Sequence, residues 1–343
     1  MTQLTPDFQI SIGGEPFTDY LKALFALDQE APPRAPANLD ISITDNAGGT
    51  SDKLELTFAR SGFTRPPKAG DKVDVAFGYV ETGVVSMGIF TIDKPRSTLA
   101  KDGGRQISIT ATSADMTSKL KEPRNEGYEK RTVKDVVGKI AGRNGLSPVI
   151  DGELAAIELP QADQTQESDM HFLSRLARDV GASFKITDGR LIFMTRRSGK
   201  VASGAGKISH ILAPTDILMA SWEGGERAAF GKVQAAWHDK AKAKREIEEV
   251  SVGEGDTTKV LKRTYATKVQ AKKAAEAEGK DGQAAKETME VEIVGNPFIR
   301  AEHQVELPLL EPEYAGLWIA QKHLHRVGKG TGFRGTLSLE RQG

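Results

Sequence analysis

Three histidines, His303, His323 and His325, are the residues whose type and spacing come nearest to a reactive centre. Imidazole nitrogens bind zinc, and residues 323 and 325 face the same side of an extended strand, so a third histidine would complete a ligand set. Alternation also accounts for the pair without a metal. Leu324 between them falls on the opposite face, and a half-exposed histidine pair satisfies the pattern, with His325 serving the fold. The loop Gly328-Lys-Gly-Thr-Gly332 has the content of a phosphate cradle but lacks the G-x-x-x-x-G-K-[ST] spacing. It also joins two strands where a nucleotide site requires a helix, so a hairpin turn is expected. Asp151 with Glu153, and Glu248 with Glu249, could supply an acid and a base. Separation in sequence says nothing about the separation in space that such chemistry needs, and solvated charge is the simpler account. No Gly-x-Ser-x-Gly nucleophile elbow is present. The basic run at 240–245 is followed at once by Glu246, Glu248 and Glu249, which cancel its field and leave a mixed-charge hairpin tip. The residues therefore predict no catalytic, cofactor-binding or metal-binding set and no specific nucleic-acid binding.

Composition points the same way. Lys plus Arg equals Asp plus Glu, 47 each, so no global field draws the chain to nucleic acid or an anionic membrane. Cysteine is absent, which excludes disulfide frameworks, thiolate zinc sites and thiol nucleophiles together. Residues 1–10 lack a basic stretch followed by an apolar run, and no apolar stretch approaches the roughly 18–20 residues needed to span a bilayer. At 343 residues the chain has room for two or three domains of roughly 150 residues each. A glycine count of 35, with scattered threonine and valine, favours turn-rich β structure.

The elements that would position any site fall into three blocks. In the first, apolar residues recur at every second position in 39–45, 53–58, 72–77, 87–93 and 105–111, which buries one face of a sheet. Turns are expected at 46–49, 70–71 and 102–104, and the proline-rich 31–36 reads as an extended loop. The middle block changes period. Thr132 caps a predicted helix to about 144, with Asp135 in a capping-box position and Gly145 as its stop. Ser168 caps a second over 169–180, closed by Gly181, with Asp169 favourable to the dipole. In that helix Met170, Phe172, Leu173, Leu176, Ala177 and Val180 share one arc, opposite His171, Ser174, Arg175 and Arg178. Strands 183–187 and 190–194 follow, turned by Asp188 and Gly189. After a glycine-rich boundary at 198–207, strands are expected at 230–238, 247–252, 260–265, 290–294, 304–307, 317–327 and 333–339. A helix at 267–278 is expected to be broken by glycines 279 and 282. The fold class is α+β, mainly β, with domains at 1–120, 121–205 and 206–343.

The run Gln164-Thr-Gln-Glu-Ser-Asp-Met-His-Phe-Leu-Ser-Arg-Leu-Ala177 resembles the Q-x-x-E-S-D-x-x-F-L-x-R-L-A signature of the late control D proteins of contractile-tailed phages and their VgrG relatives. Gly70-Asp71-Lys-Val-Asp-Val, Gly78-Tyr79 and Met87-Gly88-Ile-Phe90 are similar to that family's first barrel. Thr132-Val-Lys-Asp-Val-Val137, Ile140-Ala141 and Gly145-Leu146 are similar to its middle helix. Gly295-Asn296-Pro297, Trp318, His325, Gly332-Phe333 and Thr336-Leu-Ser-Leu339 are similar to its closing strands. The resemblance runs in order along nearly the whole chain.

The resemblance implies a structural baseplate hub without enzymatic activity. Two tube-protein-like β-barrel domains would flank a smaller α+β insert, and a homotrimer would form a pseudo-sixfold ring joining the sixfold tail tube to the threefold spike. It further implies the tail tube, spike, other baseplate proteins and the tape-measure protein as partners, and assembly in the bacterial cytoplasm into the virion tail baseplate. The sequence ends at Gly343 without spike repeats or a lysozyme-like domain, which suggests a stand-alone hub with a separate spike. Pairing of edge strands across subunits would fit closed ring symmetry. Two alternatives differ in class. A cell-wall hydrolase would need a carboxylate pair in a cleft. A carbohydrate-binding tail-tip component would expose aromatic platforms, and aromatics are only 6% here.

Overall fold

Alternation of apolar and polar side chains builds the sheets. In Leu39–Asn46 every second residue is buried and the others face outward, and Lys53–Ala59 and Gly332–Arg341 follow the same rule. The computed structural model describes residues 4–30, 38–59, 67–101, 104–113, 118–187, 189–196, 208–224, 230–239, 242–253, 256–284, 287–308 and 311–342. The expected loop at 31–36 and boundary at 198–207 lie outside these residues, as do positions 102, 103 and 188 of two expected turns.

Thirteen strands join in one sheet, whose order contains one arrangement twice. In the first half Leu39–Asn46, Lys53–Ala59, Gly104–Thr112, Gly83–Ala100, Lys72–Tyr79 and Pro6–Ile12 lie side by side, with Glu15–Pro16 at the margin. In the second half the order is Ile217–Gly224, Glu287–Val294, Gly332–Arg341, Gly316–Gly328, Gln304–Leu307 and Ser209–Ile211. Corresponding strands also come in the same chain order. Register repeats as well. Ser42, Glu55, Thr110 and Lys94 form one cross-strand row, and Ser221, Glu290, Ser338 and Lys322 form its counterpart. Each long strand is bulged just before that lysine, between Ile92 and Lys94 and between Ala320 and Lys322.

A seam joins the halves. Gly316–Gly328, beyond its bulge, pairs antiparallel with Leu39–Asn46, from Lys322 opposite Asn46 to Gly328 opposite Asp40. The first half packs Phe8, Phe58, Phe77 and Phe90 over one core, into which Val327 and Phe333 reach across the seam. Trp318, Val291, Ile293 and Leu337 fill the second. Each such fully buried side chain contributes about 1.5–3 kcal/mol.

A separate core runs from Leu120 to Phe193. Its helix Val133–Arg143 carries both bonds of the capping box between Thr132 and Asp135. The helix Asp169–Val180 starts at a Ser168 cap and ends on Gly181 in the left-handed region, φ 71°. Ala182–Thr187 pairs antiparallel with Arg190–Thr195, which pairs parallel with Ser147–Ile150. Pro123–Thr132 and Glu158–Ser168 make a two-stranded ribbon beside them.

Two findings differ from the sequence expectation. The strands Phe230–Asp239, Lys244–Ser251 and Thr257–Tyr265 do not join the closing strands but form their own three-stranded sheet, inserted between the neighbouring strands Ile217–Gly224 and Glu287–Val294. The helix on that sheet runs unbroken over Lys268–Ala284, through both glycines. A Cβ on Gly279 would lie 2.1 Å from Val252 Cγ1, so glycine leaves the room that the Val252 side chain takes against the helix. Among the described residues no helix is long and apolar enough to cross a membrane.

Candidate functional site

Two polar centres are built into these elements. The first surrounds the start of the helix Asp169–Val180. Asp169 is wholly buried. Arg143, from the last turn of the neighbouring helix, donates Nε to Asp169 Oδ2 at 2.9 Å and Nη2 to Gln164 Oε1 at 3.1 Å, and forms further ion pairs with Asp169 and Glu126. Gln164 Nε2 donates to the Glu167 carbonyl at 2.8 Å and to Asp169 Oδ1 at 2.9 Å, and Asn144 Nδ2 donates to Asp169 Oδ2 at 2.8 Å. Glu167 takes Arg175 Nη2 at 2.7 Å. Burial opposes the Glu126 charge, but bonds from Lys139, Tyr128 and Arg143 hold its carboxyl at about 2. Gln164 and Asp169 of the Q-x-x-E-S-D run are thus buried staples of the insert, with Glu167 half-buried beside them. These bonds fix two helices and a ribbon to one another, and Asn144 Oδ1 is buried beside them without a hydrogen-bond partner among the described residues.

The second centre lies where three parts of the chain meet. Asp45, on the seam strand of the first half, accepts from Lys185 Nζ at 2.6 Å and from the Ala301 N–H at 3.0 Å. Lys185 comes from the insert hairpin, reaches Asp52 at 2.8 Å, and donates to the Asn46 carbonyl at 3.0 Å. Ala301 belongs to the second half. Burial would raise Asp45, but Lys185 and Arg300 beside it bring its carboxyl down to about 2. Burial and the Asp45 charge push Asp52 up to about 6. Burial also opposes the Lys185 charge, and the two carboxylates outweigh it and raise the amine.

The histidines stand beside this junction. His323 and His325 are fully buried, which corrects the expectation of a half-exposed pair. They share the core-facing side of their strand with Val327, while Lys322 and Arg326 on its other face are exposed. Their ring centroids are 3.6 Å apart, and a Cβ on Gly335 would lie 2.4 Å from His323 Nε2, so this glycine, opposite His325, leaves the His323 ring its space. His323 Nδ1 donates to the Ile299 carbonyl at 2.9 Å. Its Nε2 and both His325 nitrogens are buried without a hydrogen-bond partner among the described residues. His303 does not join them. It faces His210 at 3.0 Å, a contact between distant segments that sequence spacing gave no means of finding. Among the described residues no group of three or more His, Cys, Asp or Glu could hold a metal ion.

The remaining candidates are structural too. Gly328 and Gly332 close the hairpin of the last two strands. Asp151 caps the short helix Gly152–Ala155 and accepts from Thr195 Oγ1 at 3.1 Å. Glu249 pairs with Lys232 at 2.7 Å, and Glu248 lies 3.5 Å from Lys268. Lys242 sits at the hairpin tip near Asp239 and Glu246. A depression of about 380 Å³ between the helix Asp169–Val180 and the strand Thr257–Tyr265 holds Arg175, Arg178 and Arg263 beside Asp179, Glu278 and Asp281. Arg263 already pairs with Asp179 at 2.5 Å.

This architecture has known counterparts. Two proteins each named "Probable baseplate hub protein" are similar in sequence. That of Escherichia phage P2 is 26% identical over 381 aligned positions, covering 98% of this chain and 93% of the relative. That of Escherichia phage 186 is 29% identical over 279, covering 70% and 71%. The tail protein of Neisseria meningitidis MC58 has the same fold, with a TM-score of 0.71 at 14% identity over 99% of this chain and 97% of that one. Residues 80–329 match the phage tail baseplate hub (GPD) family, and the chain belongs to it.

Proposed function

We propose that this baseplate hub acts as a ring of three copies, joining a sixfold tail tube to a threefold spike through binding and without catalysis. The observation that carries the reading is the internal repeat. Two six-stranded halves with matching strand order, and matching register across four strands of each, give a threefold ring six similar faces, which is what a symmetry adaptor between tube and spike requires. In this reading 1–120 and 206–343 are the tube-protein-like β-barrel domains and 121–205 is the α+β insert. The partners are two further copies of the chain, the tail tube, the spike, other baseplate proteins and the tape-measure protein. Assembly takes place in the host cytoplasm and the product resides in the virion tail baseplate.

A role by binding is supported by the engagement of the polar groups. A hydrolase needs two carboxylates facing one cleft, and Asp151 and Glu249 are both held by neighbours. Light scattering of the purified chain, alone or with the spike encoded beside it, is expected to give three copies per particle. A strict monomer with that spike at high concentration would overturn the reading.

A further inference from the structure

The repeat leaves one seam unmade. Within the chain, the long strand of the second half pairs with the first strand of the first half. The converse pair would be the long strand of the first half with the first strand of the second half, and one chain cannot close it. Among the described residues both strands have free edges. Gly83–Ala100 pairs with Lys72–Tyr79 only as far as Thr91, so beyond its bulge the segment 94–100 is bonded on one side alone, to Gly104–Thr112. Among the described residues Ile217–Gly224 pairs only with Glu287–Val294.

We infer that segment 94–100 of one copy pairs antiparallel with Ile217–Gly224 of the next copy, in the register of the internal seam. That register follows from the matching rows. Lys94 corresponds to Lys322 and Ser42 to Ser221, so Arg96 takes the place of Leu324 and Glu223 the place of Thr44. Leu324 stands opposite Thr44 in the internal seam, which sets Arg96 opposite Glu223. The same transfer sets Thr98 opposite Ser221 and Leu99 opposite Ala220, diagonal to Trp222.

Two features of the free edges suit this partner. Arg96 and Glu223 are of opposite charge, and both are exposed. Opposite charges facing across antiparallel strands are stabilising and like charges are not. Leu99 is 81% exposed, the highest value among the exposed large apolar side chains, and Trp222 and Met219 are 37% and 55% exposed. The proposed register buries Leu99 against Ala220 and Trp222 where the internal seam buries Val327 against Ile41. The opposite margin of the sheet is blunted. Pro6 has no N–H, the Phe8 N–H is bonded to Asp7 Oδ1 at 2.8 Å, and the Ile10 N–H is bonded to Thr18 Oγ1 at 3.0 Å. Pro95 removes one donor at the start of the proposed ladder. Because the two strands differ, the contact is head-to-tail and closes a ring or runs on as a filament.

The proposal rests on the ring reading above, and its test separates the two. The chain has no cysteine, so Thr98→Cys with Ser221→Cys introduces thiols only at facing positions. Oxidation of the full chain is expected to link each copy to the next on a non-reducing gel. Ser97→Cys with Ser221→Cys, on opposite faces, is expected to give no links. Arg96→Glu is expected to weaken self-association about tenfold, and adding Glu223→Arg to restore it. If light scattering finds assembled copies but the facing thiols do not link, or the charge swap does not rescue, the strand assignment is wrong and the ring stands. Equal linking by both thiol pairs overturns the register. A monomer at high concentration even with the spike overturns both.

Discussion

Asp169 is where one atom group decides the most. Its carboxylate accepts from Arg143, Gln164 and Asn144 with no exposure to water. Its position in the first helical turn is also favourable to the dipole, an effect of about 0.3–1 kcal/mol. The ion network is the larger effect, because deleting one member of a buried pair leaves the other charge uncompensated at a cost of about 3–5 kcal/mol. Asp169→Ala is therefore expected to lower stability by about 3 kcal/mol in urea titrations, at the lower end because Arg143 keeps Glu126. Adding Arg143→Met is expected to recover part of the loss. A single-variant loss below about 1 kcal/mol would mean that the dipole effect is all that Asp169 provides. The sequence disclosed the cap, the helix and the motif to which Asp169 belongs, because these are local. It did not disclose Arg143, which comes from another helix, and so only the favourable place of Asp169 at the helix dipole was legible.

At the scale of elements, alternation and capping carried most of the reading. The strands at 39–45, 53–58 and 304–307 and both capped helices of the insert stand within a residue or two of their expected positions. Periodicity failed where a tertiary contact overrides it. Thr18–Glu30 places Asp28 on the buried face with Leu21 and Leu24, a carboxylate where a hydrophobe is expected, because it accepts from the Asn38 and Leu39 N–H groups. Gly279 misleads in the opposite direction. Helix propensity disfavours glycine by about 1 kcal/mol, so a break was expected, yet the position is fixed by packing against Val252. Gly279→Ala should then destabilise by about 1–3 kcal/mol through overpacking, despite its gain in propensity. Val252→Ala in the same chain should relieve most of that. Thermal unfolding of the single and double variants reads both, and a Gly279→Ala chain more stable than the parent would show that the helix moves aside at no cost.

For the whole molecule, the weak point is the junction at which the seam, the insert and the second half meet. His323 stands opposite Asp45 and His325 opposite Ile43 across the seam, so a charge placed there strikes the contact between the halves. Burial holds His323 at about 4, His303 at about 4 with His210 adding to the effect, and His325 well below its ordinary value, while His210 is also lowered. A histidine neutral in the folded chain and protonated in the unfolded one below about 6.5 contributes stability that is whole above that pH and is lost as pH falls toward 4. Asp52 acts in the opposite sense. Its carboxyl, raised to about 6, contributes stability that is whole below its ordinary value and is lost as pH rises through 6. Asp45, held at about 2, matters only below both windows. Between pH 4 and 6.5 each group changes stability by at most about 1.4 kcal/mol per pH unit, so the histidines together outweigh one aspartate and net stability falls with acidification. His325→Leu removes one of these contributions along with two buried, unpartnered nitrogens. Urea midpoints taken from pH 7 to 5 are expected to fall less steeply for His325→Leu than for the parent, by about 1.4 kcal/mol per unit below pH 6. At pH 7 the variant is expected to match or exceed the parent, since an unpaired polar group is costly to bury. Identical pH profiles would place the acid sensitivity of the molecule elsewhere than at the seam.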